Sequence, residues 1–127
     1  IIMAFDKKIA NKINSGLVNS VSILLLFYKT KMLAKLIITH GTYTMPDSAR
    51  YVKANLKRKG QTIIFTASMI PIKGFSPSDG TFNLGYSIAK VQTESSGIYV
   101  AINGKLFDPE EIIKIISEGR FASIFNK

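Results

Sequence analysis

Short apolar runs that alternate with helical patterns constrain the fold of this chain more than any other feature. Three of the runs, 36–39, Thr62–Thr66 and 98–102, are rich in β-branched residues and are expected to form buried strands. The stretches between them carry apolar residues at helical spacing. Strand and helix therefore alternate through most of the chain, which predicts an α/β domain with a mainly parallel sheet and these three strands as neighbours.

Three helices are predicted from apolar spacing that ends at a glycine or a strand. The first covers 5–13, where Gly16 follows the last apolar residue. The second begins near Pro46 and continues to 56, and Gly60 is the expected stop. The third is expected over 84–91, after a loop rich in proline, glycine and serine.

A fourth helix is predicted at the end of the chain. Residues 108–111 read Asp-Pro-Glu-Glu, with a capping aspartate, a proline at the first helical position and acidic residues near the helix N-terminus. Four isoleucines would supply its buried face before the stop at Gly119: Ile112, Ile113, Ile115 and Ile116.

Length and composition limit the domain count and the chemistry. With 127 residues, the chain is expected to be one domain over 1–127. It has no cysteine and one histidine, so we expect no disulfide, no thiolate chemistry, no metal site and no cofactor, and a cytoplasmic location.

The net charge of +9 suggests either a surface for nucleic acid or anionic membrane, or a solvated lysine-rich surface. The second interpretation is favoured, because no nucleic-acid motif accompanies the charge. The apolar run within 17–28 is too short to cross a bilayer and is expected to be a buried segment. We therefore expect neither nucleic acid nor membrane as a partner, although the positive field would attract an anionic amino-acid substrate.

The first predicted strand leads into a glycine with hydroxyl residues after it, and a helix start follows at once. Parallel α/β sheets bind ligands at the carboxyl ends of their strands, so polar groups here are candidate site residues. The residues are Ile37-Ile38-Thr39-His40-Gly41-Thr42-Tyr43-Thr44-Met45.

Three motifs in order resemble those of the bacterial L-asparaginase/glutaminase family, in its short form that holds only the N-terminal domain. The first resembles the family's His-Gly-Thr-Asp-Thr-Met, the second its Thr-Gly-Ala-Met-x-Pro loop with Ser-Asp-Gly-x-x-Asn-Leu, and the third its Gly-Val-Tyr-Val-Ala-Met-Asn-Gly strand. In this chain they read His40-Gly41-Thr42-Tyr43-Thr44-Met45, then Thr66-Ala67-Ser68-Met69-Ile70-Pro71 with Ser78-Asp79-Gly80-Thr81-Phe82-Asn83-Leu84, then Gly97-Ile98-Tyr99-Val100-Ala101-Ile102-Asn103-Gly104.

The resemblance implies a three-layer, flavodoxin-like domain with a left-handed crossover near Ser78 and Asp79, where general rules predict right-handed crossovers. It implies hydrolysis of L-asparagine or L-glutamine by a threonine nucleophile, without a metal or cofactor. The family's first threonine, on a glycine-rich strand at the N-terminus, and its Asp-Ser pair have no counterpart here. We therefore expect an N-terminally truncated domain.

Carried over residue by residue, the resemblance places Thr42 as the catalytic residue and Gly41, Tyr43 and Ser68 in the substrate site. Thr42 would activate the nucleophile or orient water, or its hydroxyl would simply cap the following helix. Tyr43 replaces the aspartate that would hold the substrate's ammonium group. The carbonyl of Ser68 would meet the substrate amide.

The family lysine is expected on the helix after Asn83, where equal spacing places Gln92. Lys90 lies two residues away, on another face of that helix, and is expected to be solvated. His40 is expected to have a structural hydrogen-bonding role, and Ser78 and Asp79 are expected mainly to cap a helix.

Two functions follow from these expectations. The chain is an asparaginase-type amidohydrolase, impaired by the missing groups, or it is an inactive relic that self-associates. In both cases a homo-oligomer is expected, with the apolar run 23–27 as the candidate interface.

Overall fold

The computed structural model describes residues 2–3, 35–57, 59–73 and 77–125. The helix predicted over 5–13, the segment 17–34 and the apolar run 23–27 lie outside these residues.

A five-stranded sheet in the order β1-β2-β3-β4-β5 forms the centre of the fold. Its first four strands are parallel, and β5 pairs antiparallel with β4. The three strands predicted as neighbours are confirmed, as β2, β3 and β4, and two of them begin one residue earlier than predicted. The strands are β1 (Ile2–Met3), β2 (Lys35–Thr39), β3 (Thr62–Thr66), β4 (Gly97–Ile102) and β5 (Lys105–Phe107).

Two helices cover opposite faces of this sheet: α1 (Met45–Asn55) follows β2, and α2 (Gly80–Thr93) follows β3. Alternate strand residues point to opposite faces, so Leu36 and Ile38 join the α1 side while Ile37 joins the α2 side. This confirms the three-layer α/β fold. Within the described residues, neither helix is long and apolar enough to span a membrane.

The crossovers from β2 to β3 and from β3 to β4 differ in hand. From β2 to β3 and from β3 to β4 the chain moves one strand in the same direction, and all three strands are parallel. The connecting helices nevertheless lie on opposite faces. One of the two crossovers must therefore be left-handed, which departs from the general preference for right-handed connections.

The turn between β4 and β5 consists of Asn103 and Gly104, since Ile102 pairs with Lys105. Both turn residues have positive φ, 54° and 70°. Two-residue hairpins with this geometry match the twist of the strands they join, and Asn-Gly is the sequence they favour.

The prediction of a helix after residue 108 is wrong. Instead, β6 (Ile112–Ile115) and β7 (Arg120–Ser123) form a separate antiparallel sheet, connected by a 3-10 helix (Ile116–Glu118) and by Gly119 at φ 59°. Asp108 does act as a cap, because its carboxylate accepts the backbone N–H of Glu110 at 2.9 Å. That cap supports a single turn, after which the chain enters a strand.

The β6–β7 hairpin packs against α1. Ile112 and Phe121 are 0% and 2% exposed and belong to the core on the α1 side of the central sheet. Arg50 of α1 donates to the carbonyl oxygen of Ile112 at 2.7 Å. An ion pair of 2.6 Å between Lys53 of α1 and Asp108 holds the chain just before the hairpin.

Candidate functional site

The hydroxyl of Thr42 lies in the turn between β2 and α1 and contacts a lysine far away in sequence. Lys114 Nζ donates to Thr42 Oγ1 at 2.9 Å. Thr42 does not cap α1, because Thr44 holds the N-cap position and no side chain caps that end. The site therefore pairs a hydroxyl with an amine, the combination that can activate a weak oxygen nucleophile.

The hairpin places Lys114 beside Thr42. In a strand, residues two apart point to the same face, so Lys114 shares a face of β6 with Ile112. Ile112 is buried against α1, and Lys114, half-buried, extends along the same face towards the turn at Thr42. Phe121 pairs directly opposite Lys114 on β7 and is also buried. Packing of these two apolar side chains fixes the position of the lysine.

Sequence reasoning missed Lys114 and expected the family lysine at Gln92. The structure places Gln92 at the amino end of β2, where its backbone carbonyl oxygen accepts a hydrogen bond from Lys35. Thr42 follows the carboxyl end of the same strand. Lys90 pairs with Glu94 at 3.0 Å. The amine neighbour of Thr42 therefore comes from the hairpin and not from α2.

Tyr43 lies beside Thr42 and Lys114, and 75% of its surface is exposed. Its ring faces the lysine, and Lys114 Nζ lies 3.6 Å from the ring centroid. Such a cation–π contact stabilises the ammonium form by about 0.5–2 kcal/mol, depending on desolvation. A neutral phenol ring therefore stands against the cation where the resemblance implied a carboxylate.

His40 has its ring nitrogens engaged in local hydrogen bonds. Nδ1 lies 3.0 Å from the carbonyl oxygen of Gly41, and Nε2 lies 3.0 Å from Ser48 Oγ on α1. Because a carbonyl oxygen only accepts, Nδ1 is the donor to Gly41. These contacts connect the end of β2 to α1 and agree with the expected structural role.

Asp79 organises the loop after β3, which carries Ser68. Its carboxylate accepts the backbone N–H groups of Met69 and Ile70 at 3.0 and 2.8 Å, and the Ser68 hydroxyl at 3.0 Å. Asp79 stands at the N-cap position of α2, yet its side chain makes no capping bond to that helix. The expected role as a helix cap is therefore wrong for its carboxylate, which stabilises the Ser68 loop instead.

The ionisation of Asp79 follows from these contacts. Burial alone would raise the pKa of its carboxyl group, but the N–H groups of Ile70 and Met69, with Ser68 and Asn83, hold that pKa below its ordinary value. The group is therefore ionised at neutral pH and accepts hydrogen bonds only.

Asn83, which is completely buried, joins three elements at the carboxyl edge of the sheet. Its amide nitrogen donates to the Ala67 carbonyl oxygen at 2.9 Å and to Asp79 at 2.8 Å. Its amide oxygen accepts the N–H of Asn103 at 2.9 Å. One side chain on α2 therefore fixes the end of β3 relative to the β4–β5 turn.

The predicted site residues lie on two neighbouring loops. Gly41, Thr42 and Tyr43 follow β2, and Ser68 follows β3, which is its parallel neighbour. The carboxyl ends of parallel strands lie at one edge of the sheet, and the backbone N–H of His40 donates to the Thr66 carbonyl oxygen there at 2.9 Å. Lys114 is added to this edge from the separate hairpin.

Comparison with known proteins gives one family. A family profile described as the N-terminal domain of asparaginase matches residues 16–124. No curated protein matches the chain significantly.

Two solved structures are similar. A probable cytoplasmic L-asparaginase from Campylobacter jejuni has 28% sequence identity and a TM-score of 0.70, with 87% of this chain and 34% of that chain covered. The thermostable L-asparaginase from Thermococcus kodakarensis has 24% identity and a TM-score of 0.72, with 97% and 37% covered. The chain thus spans about a third of the length of these proteins.

Proposed function

The chain belongs to the asparaginase family through its N-terminal domain, and from this we propose that it supports amide hydrolysis through Thr42 and Lys114. The contact of 2.9 Å between Lys114 Nζ and Thr42 Oγ1 is the observation that carries the proposal. The substrate class is an amino-acid amide, in keeping with the L-asparaginases whose structures the chain resembles.

In the proposed reaction Thr42 is itself the nucleophile, in place of the family's first threonine. The amine of Lys114 accepts the Thr42 hydroxyl proton as the oxygen attacks the amide carbon. The amide C–N bond then breaks, and the resulting ammonium returns a proton to the leaving nitrogen, which departs as ammonia. Water releases the acyl group from Thr42 through the same proton transfers. No other reactant is required.

We propose that turnover of L-asparagine is slow. The side chain of Tyr43 is neutral near pH 7 and cannot pair with the ammonium group of an amino acid. Among the described residues, no contact of Thr42, Tyr43 or Lys114 involves a carboxylate. Positioning contributes much of the rate of such reactions, so a poorly held substrate reacts slowly.

The alternative is an inactive domain whose role is self-association. It is supported by Tyr43, whose ring stands against Lys114 where the resemblance implied a carboxylate. A cytoplasmic location and a homo-oligomeric state belong to both proposals. The location is supported by the Campylobacter jejuni protein, described as a probable cytoplasmic L-asparaginase.

The experiment measures ammonia release from L-asparagine and L-glutamine by the purified chain, beside the L-asparaginase from Thermococcus kodakarensis. Thr42→Ala and Lys114→Met should each lower the rate by about a hundredfold or more, since the two groups act as a unit. Lys105→Met is the matched control, because Lys105 is exposed on β5.

We expect a wild-type rate at least about a hundredfold below that of the reference enzyme, by the loss of positioning. Activity that survives Thr42→Ala would contradict the proposed chemistry. A wild-type chain with no turnover of any amide would establish the inactive alternative.

A further inference from the structure

Lys114 lies in different surroundings from four other basic residues in the described part of the chain. Four basic side chains there pair with carboxylates: Arg50 with Asp47, Lys53 with Asp108, Lys90 with Glu94 and Arg120 with Glu118. Lys114 is half-buried, and its described contacts are the Thr42 hydroxyl and the Tyr43 ring, both of them neutral. A partly desolvated cation without a counter-charge attracts an anion.

This inference rests on the proposed function. We propose that the site selects amides that carry a carboxylate but no ammonium group, and that Tyr43 determines this preference. The substrate class is a monoanionic acid amide. The α-amino acid amides are the disfavoured class.

The preference depends on one positive charge, that of the Lys114 ammonium. A ligand carboxylate near Thr42 lies within reach of the Lys114 ammonium, which attracts it. A ligand ammonium in the same site is repelled by Lys114, and the face of the Tyr43 ring is already occupied by the lysine at 3.6 Å. The net charge of +9 adds a field of the same sign.

The test compares two probes that differ in a single group. Succinamate has the carbon skeleton, carboxylate and amide of L-asparagine, with hydrogen in place of the ammonium group. Calorimetric titration of the intact chain gives the affinity for each probe, and ammonia release gives kcat/KM. We expect succinamate to bind more tightly by about tenfold or more, as one like charge at close range predicts, and ammonia release shows whether the bound amide is hydrolysed.

Two matched variants assign the preference to Tyr43. Tyr43→Asp should lower the succinamate-to-asparagine affinity ratio by about tenfold or more, since a carboxylate then pairs with a ligand ammonium and neutralises Lys114. Tyr51→Asp makes the same substitution on α1, where the side chain is 43% exposed, and should leave the ratio within about twofold.

The outcomes separate this inference from the proposed function. Tighter binding of L-asparagine, equal affinities, no binding of succinamate, or equal effects of the two variants would each overturn the inference. If succinamate is bound in preference and Tyr43→Asp removes that preference, but no ammonia is released, the inference holds and the proposed hydrolysis fails.

Discussion

At the scale of single residues, a threonine hydroxyl is a poor nucleophile until a base accepts its proton. Thr42 and Lys114 are 72 positions apart in the sequence, so their hydrogen bond forms only in the folded chain. The same lysine also contacts the Tyr43 ring, so one amine connects two residues of the β2–α1 turn.

Asp79 gives the first stability prediction. Asp79→Asn replaces a group that only accepts hydrogen bonds with one that also donates, so at least one bond to the backbone N–H groups of Met69 and Ile70 is weakened. We expect the free energy of unfolding to fall by about 1–3 kcal/mol. Urea denaturation followed by circular dichroism measures this.

The control is Asp47→Asn, which breaks an exposed ion pair with Arg50 and should cost about 0–1 kcal/mol. Equal losses for the two variants would contradict the role assigned to Asp79. The pH dependence provides a second check. The folded pKa of Asp79 is lowered, so its contribution is complete above about pH 4 and is lost as the pH falls through that lowered value. The Asp79→Asn variant should therefore lose less stability than wild type below about pH 4.

At the scale of elements, the end of the chain shows why local signals can mislead. Residues 108–111 have the chemistry of a helix start, and Asp108 does cap the turn that follows. The next residues are mostly β-branched, and they pair with Arg120–Ser123 across Gly119. Pairing partners that lie later in sequence outweigh local helix propensity, and a single-sequence pattern does not reveal them.

The wrong prediction of a helix after residue 108 is also the reason that sequence reasoning missed Lys114. In a helix, Ile112 and Lys114 would lie on different faces, so burial of Ile112 would not predict the position of Lys114. In a strand they share a face, and burial of Ile112 against α1 directs Lys114 to the same side. The three β-branched residues within 112–115 were the signal that favoured a strand there.

The β4–β5 turn gives a prediction for glycine. Gly104 has φ of 70°, where a side chain adds strain, so Gly104→Ala should destabilise the fold by about 1–2 kcal/mol. Gly85→Ala is the control, since Gly85 lies within α2 and a Cβ there would meet nothing within 4 Å. That change should stabilise by about 0.5–1 kcal/mol. Thermal unfolding of both variants measures the difference, and shifts of the same sign would contradict the assigned turn.

At the scale of the whole molecule, the central sheet was predictable because its strands are short, apolar and buried. Thr62–Thr66 is buried at every position and was predicted with the observed bounds. The polar contacts at its edge were not predictable. Asn83 is completely buried on α2, and its amide joins the end of β3 to the β4–β5 turn, which spacing along one helix does not show.

We predict that the chain forms a dimer or larger assembly. The described part exposes large apolar side chains, including Ile72 at 80%, Ile116 at 73% and Phe125 at 73%. The net charge of +9 opposes association at low ionic strength, so added salt should strengthen it. Multi-angle light scattering at tens of micromolar, with and without about 0.5 M salt, measures the mass. A monomer in both conditions would contradict the prediction.

The separate β6–β7 sheet has a consequence for cooperativity. An isolated two-stranded hairpin has little stability of its own, so this one depends on Ile112, Phe121 and the bond from Arg50. Sub-global opening of the hairpin removes Lys114 from Thr42 while the five-stranded sheet keeps its strand pairing. We expect amide hydrogens of β6 to exchange with solvent before those of β3, and heating to separate Lys114 from Thr42 before it melts the domain.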